Sequence, residues 1–332
     1  MQARAWIECP RNRCETRIFI AVFLFTIRVA GRRQPTEGLY PAVPLCIGKG
    51  EPCPIPPPGA PPRSSHCLKS SLSYAGHFNG SVQVDIWQDF KQRGFFKQCT
   101  DEAGLAGAGG GKPLTGYIGF DPTADSFHAG HLIPLMSLVR FQRAGHRPIA
   151  LMGVGTAMIG DPTGKNEMRQ MLSEEQLAHN LEGMKRQLER LLDFAGGATM
   201  ENGAIMVNNA DWLRGLNYLD FLREIGPHFS VNRMLTFETF KMRLDGPGLS
   251  FIEFNYPLLQ SYDFLELYRR HGCLLQMGGD DQWANIISGV DLVRRLERTT
   301  VYGWTFPLHT TASGAKMGKT EKGAVWLDPN KT

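Results

Sequence analysis

Two histidines, His128 and His131, lie three residues apart in a stretch that reads YIGFDPTADSFHAGHLIP over residues 117–134. The apolar residues 114–119 before them predict a buried strand. A helix is predicted after them, because apolar side chains recur at helical spacing at Leu132, Leu135, Met136 and Val139. The histidines therefore occupy a strand-to-helix loop, where open α/β sheets bind ligands and free backbone N–H groups attract phosphate. We interpret this loop as a nucleotide site; a loop that only packs two histidines is the alternative.

Two further loops carry positive side chains that could grip a polyphosphate. Lys316 and Lys319 lie in SGAKMGKTEKG, and Lys165 and Arg169 lie in GTAMIGDPTGKNEMRQ, which follows an apolar run at residues 147–154. Lysine supplies a compact charge on a flexible stem, which suits a phosphate chain. An isolated pair of lysines at this spacing is more often a solvated surface loop, so the pattern by itself leaves both interpretations open.

The elements between these loops predict an α/β fold with a doubly wound parallel sheet. Four short apolar runs predict strands at residues 114–119, 147–154, 204–207 and 273–277. Helical patterns separate them, beginning at Ser173 and covering residues 251–270, and another follows at residues 281–295. Alternation of strands with helices of this length is typical of parallel βαβ units. Residues 212–249 interrupt the alternation with a helical insertion that contains no predicted strand.

The first 80 residues differ in composition from the rest of the chain. They hold ten Lys and Arg against four Asp and Glu, and five of the seven cysteines. Their ten-residue apolar run, at residues 18–27, is about half the length that a bilayer core requires. We expect this segment to be disordered or to be an artefact of the gene model. With so few thiols elsewhere, we expect a cytoplasmic protein without membrane attachment, and the arginines of the segment leave organellar import open.

The globular part is expected to begin near residue 81. Residues 82–105 predict one amphipathic helix, and GLAGAGGGKP at residues 104–113 predicts a glycine-rich linker to the first strand.

Together these motifs resemble those of class I aminoacyl-tRNA synthetases. HAGH at residues 128–131 resembles the HIGH motif, and the longer YxGFDPTADSxHxGHL resembles its tyrosyl-tRNA synthetase version. GGDDQW at residues 278–283 resembles the GG-x-DQW motif, and KMGKT at residues 316–320 resembles the KMSKS loop. The resemblance runs from about residue 82 to the last residue. It implies a Rossmann-like catalytic domain over residues 81–332, with the insertion forming a homodimer interface.

The resemblance also implies a reaction. The carboxylate of L-tyrosine would attack the α-phosphorus of ATP, brought as its Mg²⁺ complex, and the tyrosyl group would then pass to tRNA(Tyr). The implied catalytic residues are His128, His131, Lys165, Arg169, Lys316, Lys319 and Thr320. Those implied to bind tyrosine are Tyr117, Asp161, Tyr256, Gln260, Asp263 and Gln282. ATP or adenylate contacts are implied for Gly119, Asp121, Thr123, His128, Gly130, His131, Gly279, Asp281 and Lys319, and no protein-bound metal is implied.

Three interpretations compete at this stage. The first is a tyrosine-specific synthetase; because the anticodon-binding and C-terminal RNA-binding domains of the family have no counterpart in this sequence, we expect its transfer step to be impaired. The second is a tryptophanyl-type synthetase or an HxGH nucleotidylyltransferase. The third is a catalytically idle, RNA-binding paralogue. Tyr117 together with Asp263 favours the first, because this pair is the tyrosyl version's contact for a phenol hydroxyl.

Overall fold

A computed structural model describes residues 85–163, 172–194, 202–246, 248–310 and 324–331. Predictions for residues 1–80 therefore lie outside the described residues. Within the described part, a single sheet holds six strands: β1 Gln98–Cys99, β2 Thr115–Phe120, β3 Arg147–Met152, β4 Ile205–Asn208, β5 Leu275–Gly279 and β6 Tyr302–Phe306. None of the helices in this part is long and apolar enough to cross a membrane.

The sheet is doubly wound. Its strand order is β1-β6-β5-β2-β3-β4. After the edge strand β1, the chain enters the middle of the sheet at β2, adds β3 and β4 on one side, and then adds β5 and β6 on the other. All pairings among β2 to β6 are parallel. The winding reverses between β2 and β5, which is where ligands bind in sheets of this kind. The predicted fold class is confirmed, with one antiparallel addition at the edge, β1 on β6.

Helices cover both faces of the sheet. They are α1 Ile86–Gln92, α2 Glu102–Ala108, α3 Leu132–Arg143, α4 Val154–Ala157, α5 Glu174–Leu188, α6 Ala210–Leu213, α7 Tyr218–Glu224, α8 Val231–Met234, α9 Glu238–Leu244, α10 Phe251–His271 and α11 Trp283–Glu297. Successive residues of β3 alternate between two apolar clusters, with Ala150 and Met152 in one and Ile149 and Leu151 in the other. Such continuous burial is expected of a parallel strand covered on both sides.

The prediction for the first 30 residues of the globular part was wrong. The expected single helix is divided into α1, β1 and α2, and α2 occupies half of the expected linker. Gly94 adopts a positive φ of 72°, which ends the path of α1. Asp101 then begins α2 by accepting a hydrogen bond from the Gly104 N–H. The two residues of β1 gain their order from pairing with β6, a contact that no local pattern indicates.

No sequence pattern predicts β6, although all five of its residues are buried. Its sequence YGWTF holds no Leu, Ile, Val or Met, and such aliphatic residues form the apolar runs that predict β3, β4 and β5. Gly303 has a packing reason: a Cβ at this position would lie 2.4 Å from the Ile286 side chain. The strand completes the sheet on the side of β5 and supports the loop that follows β5.

Candidate active site

A cavity of about 400 Å³ opens at the carboxyl ends of β2, β3 and β5, where the winding of the sheet reverses. The described residues that were predicted from the sequence all line it: Tyr117, Gly119, Asp121, Thr123, His128, Gly130, His131, Asp161, Tyr256, Gln260, Asp263, Gly279, Asp281 and Gln282. The remaining predicted residues, Lys165, Arg169, Lys316, Lys319 and Thr320, lie outside the described residues.

The two histidines form one wall of the cavity, and their backbone neighbours fix both rings. His128 Nδ1 accepts the Gly130 N–H at 3.1 Å, and His131 Nδ1 accepts the His128 N–H at 3.2 Å. The ring centroids are 3.9 Å apart. Because each Nδ1 is an acceptor, a neutral ring carries its proton on Nε2. That tautomer presents an N–H donor, which is the chemistry that an anionic phosphate requires.

The floor of the cavity holds a tyrosine and a carboxylate that are both fully buried. Within the described residues, Tyr117 Oη has no hydrogen-bond partner. Asp263 Oδ1 accepts the Trp212 indole N–H at 2.7 Å, and Asp263 Oδ2 accepts the Asn209 amide at 3.0 Å. Leaving a buried hydroxyl unpaired costs free energy. The floor is therefore suited to a ligand that carries its own polar group to this depth.

Burial sets the ionisation of both floor residues. It raises the pKa of the Asp263 carboxyl to about 7. The hydrogen bonds from Asn209 and Trp212 lower this pKa, whereas the negative charges of Asp121 and Glu266 raise it slightly further. Burial also raises the pKa of Tyr117 well above its ordinary value, and the neighbouring Asp263 adds to this rise. Tyr117 thus remains a neutral hydroxyl at physiological pH, beside a carboxyl that titrates there.

A network of polar side chains forms the opposite end of the pocket. Gln282 Nε2 donates to Asp161 Oδ2 at 2.8 Å, and Asn285 donates to Gln260 and Gln282. Tyr256 Oη donates to Asp121 Oδ2 at 3.1 Å. Carboxylate and amide oxygens are gathered here, so this end of the pocket can accept hydrogen bonds from a cationic group.

Comparison with known families decides which enzymes this site resembles. The sequence pattern of the family described as "tRNA synthetases class I (W and Y)" matches residues 110–332, which is two thirds of the chain. The chain belongs to this family. The class I synthetase predicted from the HAGH, GGDDQW and KMGKT motifs is confirmed.

Relatives within the family are similar over most of the described part. The tyrosine–tRNA ligase of Clostridium botulinum strain Hall is 57% identical over 248 residues, which are 75% of this chain and 60% of the relative. That of Acetivibrio thermocellus is 57% identical over 74% of this chain and 59% of its own length. This chain therefore spans about 60% of the curated relatives that it matches.

Solved structures in the family share the fold. A C-terminally truncated mitochondrial tyrosyl-tRNA synthetase of Aspergillus nidulans is 29% identical, with a TM-score of 0.65, over 74% of this chain and 72% of the other. Its counterpart from Coccidioides posadasii gives a TM-score of 0.63 at the same identity. The Rossmann-like catalytic domain of the class I synthetases is thus the architecture seen here.

The site contains a contact that the sequence did not predict. Residues 325–327, which we call the clasp, pair with the HAGH loop: the Ala129 N–H donates to the Val325 carbonyl, and the Leu327 N–H donates to the Phe127 carbonyl, both at 2.8 Å. The Trp326 ring meets the His128 ring edge-on, with centroids 6.1 Å apart. The clasp thus packs against the loop that carries the two histidines.

Asn209 and Trp212 were also missed by sequence reasoning. Asn209 follows β4 at its carboxyl end, and Trp212 lies in the short helix α6 that comes next. Besides Asp263, Asn209 binds the Thr156 hydroxyl and the Gly155 N–H. Its position directly after a strand of the sheet is the signal that could have indicated it. Trp212 gave no signal, because a single tryptophan between polar residues, as in NNADWLR at residues 208–214, matches no motif and no periodic pattern.

Within the described residues, no group of three or more His, Cys, Asp or Glu side chains is arranged to hold a metal ion.

Proposed function

We propose that this chain is the catalytic domain of a tyrosine–tRNA ligase, which activates L-tyrosine with ATP and then transfers it to tRNA(Tyr). The observation that carries the proposal is the floor of the pocket. Tyr117 Oη lacks a partner among the described residues and lies with Asp263 in a fully buried site. A phenol hydroxyl would accept from the first and donate to the second. The 57% identity to tyrosine–tRNA ligases supports the same assignment.

Selection of tyrosine follows from the free energy lost when the buried polar groups of Tyr117 and Asp263 have no hydrogen-bond partner on the substrate. Phenylalanine fits the same volume but brings no hydroxyl, so the buried carboxylate would lose a hydrogen-bond donor. Tryptophan carries its N–H at a different place and its rings require more room. The floor therefore favours tyrosine over both, which separates this proposal from a tryptophanyl-type enzyme.

The rest of the substrate would be held by the polar end of the pocket. The α-ammonium group of tyrosine would bind Asp161, Tyr256 and Gln260, and its carboxylate would face Gln282. This places the carboxylate towards His128 and His131, where the α-phosphorus of ATP would lie. Attack needs no proton transfer, so positioning of the two substrates and stabilisation of phosphate charge are what these residues supply.

ATP would lie along the histidine wall, arriving as its Mg²⁺ complex. The histidines and Gly130 would contact its phosphates and Gly119, Asp121 and Thr123 its remaining polar groups. Gly279 and Asp281 would hold the ribose. A small recess beside them is lined by Ile133, Pro134, Phe306 and Leu308, apolar side chains against which one face of the base would pack. By family resemblance, Lys165, Arg169, Lys316, Lys319 and Thr320 would stabilise the separating pyrophosphate.

Amino-acid-dependent exchange of pyrophosphate into ATP tests the proposal. With the whole 332-residue chain, tyrosine should support exchange, whereas tryptophan and phenylalanine should not at equal concentration. Exchange with tryptophan alone would indicate the tryptophanyl alternative. The absence of exchange with all three, in protein that still binds tyrosine, would indicate an idle paralogue.

A homodimer is part of the proposal. Between residues 218 and 252, apolar side chains stand exposed on a surface of neighbouring helices: Tyr218, Leu219, Val231, Met242, Leu244 and Phe251 are each more than half exposed. A surface this apolar is typical of a protein interface. We therefore expect a dimer by sedimentation, and we expect Leu219→Glu with Phe251→Glu to give a monomer that remains folded.

The proposed domain boundary and location follow from the sequence. We assign catalysis to residues 81–332 and no part of it to residues 1–80. A cytoplasmic enzyme fits the low thiol content of the catalytic part.

A further inference from the structure

Asn285 lies directly behind two residues that line the pocket, Gln260 and Gln282. It is on α11, one turn after Gln282, and is buried, with 6% of its surface exposed. Its Nδ2 donates to Gln260 Oε1 at 3.0 Å and to Gln282 Oε1 at 3.1 Å. An amide nitrogen has two hydrogens, so both are used. Asn285 therefore binds two of the glutamines that we assign to the substrate, one from α10 and one from the start of α11.

This arrangement fixes which way each glutamine amide faces. A glutamine amide is nearly symmetric in shape, so a half-turn about its last bond exchanges oxygen and nitrogen at little steric cost. Asp161 Oδ2 accepts from the Gln282 nitrogen at 2.8 Å, which leaves the Gln282 oxygen facing Asn285. Asn285 therefore presents its nitrogen at this point, and the second hydrogen of that nitrogen draws the Gln260 oxygen towards it.

We propose that Asn285 is a positioning residue that sets the amide orientation of Gln260 and Gln282 and thereby the polarity of the substrate's ammonium and carboxylate sites. This inference rests on the proposed function of the pocket and extends it. The Gln260 oxygen has a second lone pair, which remains available for the ammonium group. The Gln282 nitrogen has a second hydrogen for the carboxylate.

Reversal of either amide would place like groups together. A turned Gln260 would direct its N–H groups at the ammonium group, and both would be donors. A turned Gln282 would direct its oxygen at Asp161, and both would be acceptors. Each mismatch loses a hydrogen bond to a charged group, which corresponds to a factor of about ten or more in affinity.

A double-mutant cycle tests the orientation directly, with the equilibrium Kd for tyrosine as the readout. Asn285→Leu keeps the size of the side chain but removes both donors. It should weaken tyrosine binding about tenfold when residue 260 is glutamine. In a Gln260→Glu background the same change should cost much less, because the two oxygens of a carboxylate are equivalent and cannot be reversed. Equal losses in the two backgrounds would show that Asn285 only fills space.

A second measurement keeps the inference testable where Gln260→Glu binds tyrosine too weakly. 3-(4-Hydroxyphenyl)propionate lacks the ammonium group, so it does not depend on the orientation of Gln260. Asn285→Leu should therefore weaken tyrosine more than it weakens this analogue. Equal weakening of both ligands would overturn the inference.

Controls separate this result from misfolding and from failure of the proposed function. Ser288→Ala, one turn further along α11, removes a hydroxyl that donates to the Ala284 carbonyl of its own helix and has no other partner among the described residues. This change should leave the Kd unchanged. Asn285→Ala replaces Asn285→Leu if the leucine lowers the unfolding temperature. Failure of the unaltered chain to bind tyrosine would refute the proposed function, whereas normal tyrosine binding with additive losses would refute only the role of Asn285.

Discussion

The pH dependence of tyrosine selection tests the floor of the pocket. The ionised Asp263 carboxylate would accept the phenol hydroxyl in a charge-assisted hydrogen bond, which is stronger than one to a neutral acid. Because burial raises the pKa of Asp263 to about 7, this acceptor is formed as the pH rises through neutrality. We expect the ratio of kcat/KM for tyrosine to that for phenylalanine to increase between pH 6 and pH 8. Effects common to both substrates cancel in this ratio.

Trp212→Phe should shift the midpoint of this pH dependence, because it removes one hydrogen bond to Asp263. The indole N–H donates to Asp263 Oδ1 at 2.7 Å and lowers the pKa of the carboxyl. A hydrogen bond to a charged group contributes about 1.5 to 3 kcal/mol, and 1.36 kcal/mol corresponds to about one pKa unit. Loss of the donor should therefore move the midpoint upward by about one to two pH units.

Pyrophosphate exchange, measured with both amino acids from pH 5.5 to pH 9.5, gives the midpoint. Trp304→Phe is the matched control, because it makes the same substitution away from Asp263, where the indole N–H donates to the Phe95 carbonyl at 2.8 Å. Its midpoint should stay with that of the unaltered protein. Coincident profiles for Trp212→Phe and the unaltered protein would refute the role assigned to the indole.

The same pKa has a consequence for stability. The pKa of Asp263 is about 7 in the folded state, whereas the carboxyl of an unfolded chain has an ordinary pKa of 3.8. The folded state thus binds more protons between these values, so its stability falls as the pH rises, by at most about 1.4 kcal/mol per pH unit. Asp263→Asn should remove this slope in urea unfolding, and an unchanged slope would contradict the raised pKa.

Three further predictions concern separate parts of the chain. Tyr117→Phe should lower the tyrosine-to-phenylalanine ratio about tenfold and leave the KM for ATP unchanged; an unchanged ratio would remove Tyr117 from the specificity site. Trp326→Ala should lower the exchange rate without changing the Kd for tyrosine, with Trp326→Phe recovering most of the rate, and equal losses in both would point to a general folding defect. Arg243→Met should lower the unfolding free energy by about 3 to 5 kcal/mol, because it leaves Glu253, 2.8 Å from Arg243 and 3% exposed, as an unpaired buried charge; a loss below 1 kcal/mol in urea unfolding would contradict this.

Local sequence signals account for the main strands and for the grouping of the predicted site residues. β2 and β3 are apolar runs, and Tyr256, Gln260 and Asp263 line the cavity because their spacing places them on one side of α10. Periodicity does not indicate the chemistry expected at each position, and this came from the resemblance of the motifs. Its residue roles stay predictions.

The features that the sequence did not predict depend on distant parts of the chain. β1 is ordered only by its pairing with β6, which lies some 200 residues later in the chain. Trp212 and Asn209 matter because they meet Asp263, a contact that neither segment indicates by itself. The amide orientations of Asn285, Gln260 and Gln282 likewise depend on one another, because the three side chains share hydrogen bonds. Such contacts are decided by tertiary packing and leave no periodic trace in the sequence.

The clasp makes the order of synthesis relevant to the site. Phe127 and Ala129 emerge from the ribosome about 200 residues before their partners Leu327 and Val325, so the backbone of the histidine loop can make these pairs only after those 200 residues have been synthesised. Contacts of such long sequence separation form slowly and late in folding. In a nascent chain stalled before residue 325, the sheet would be formed but the backbone of the HAGH loop would lack its pairing with the clasp. Ribosome-bound chains of increasing length should gain protection of the HAGH loop from proteolysis only after residue 327 has left the exit tunnel.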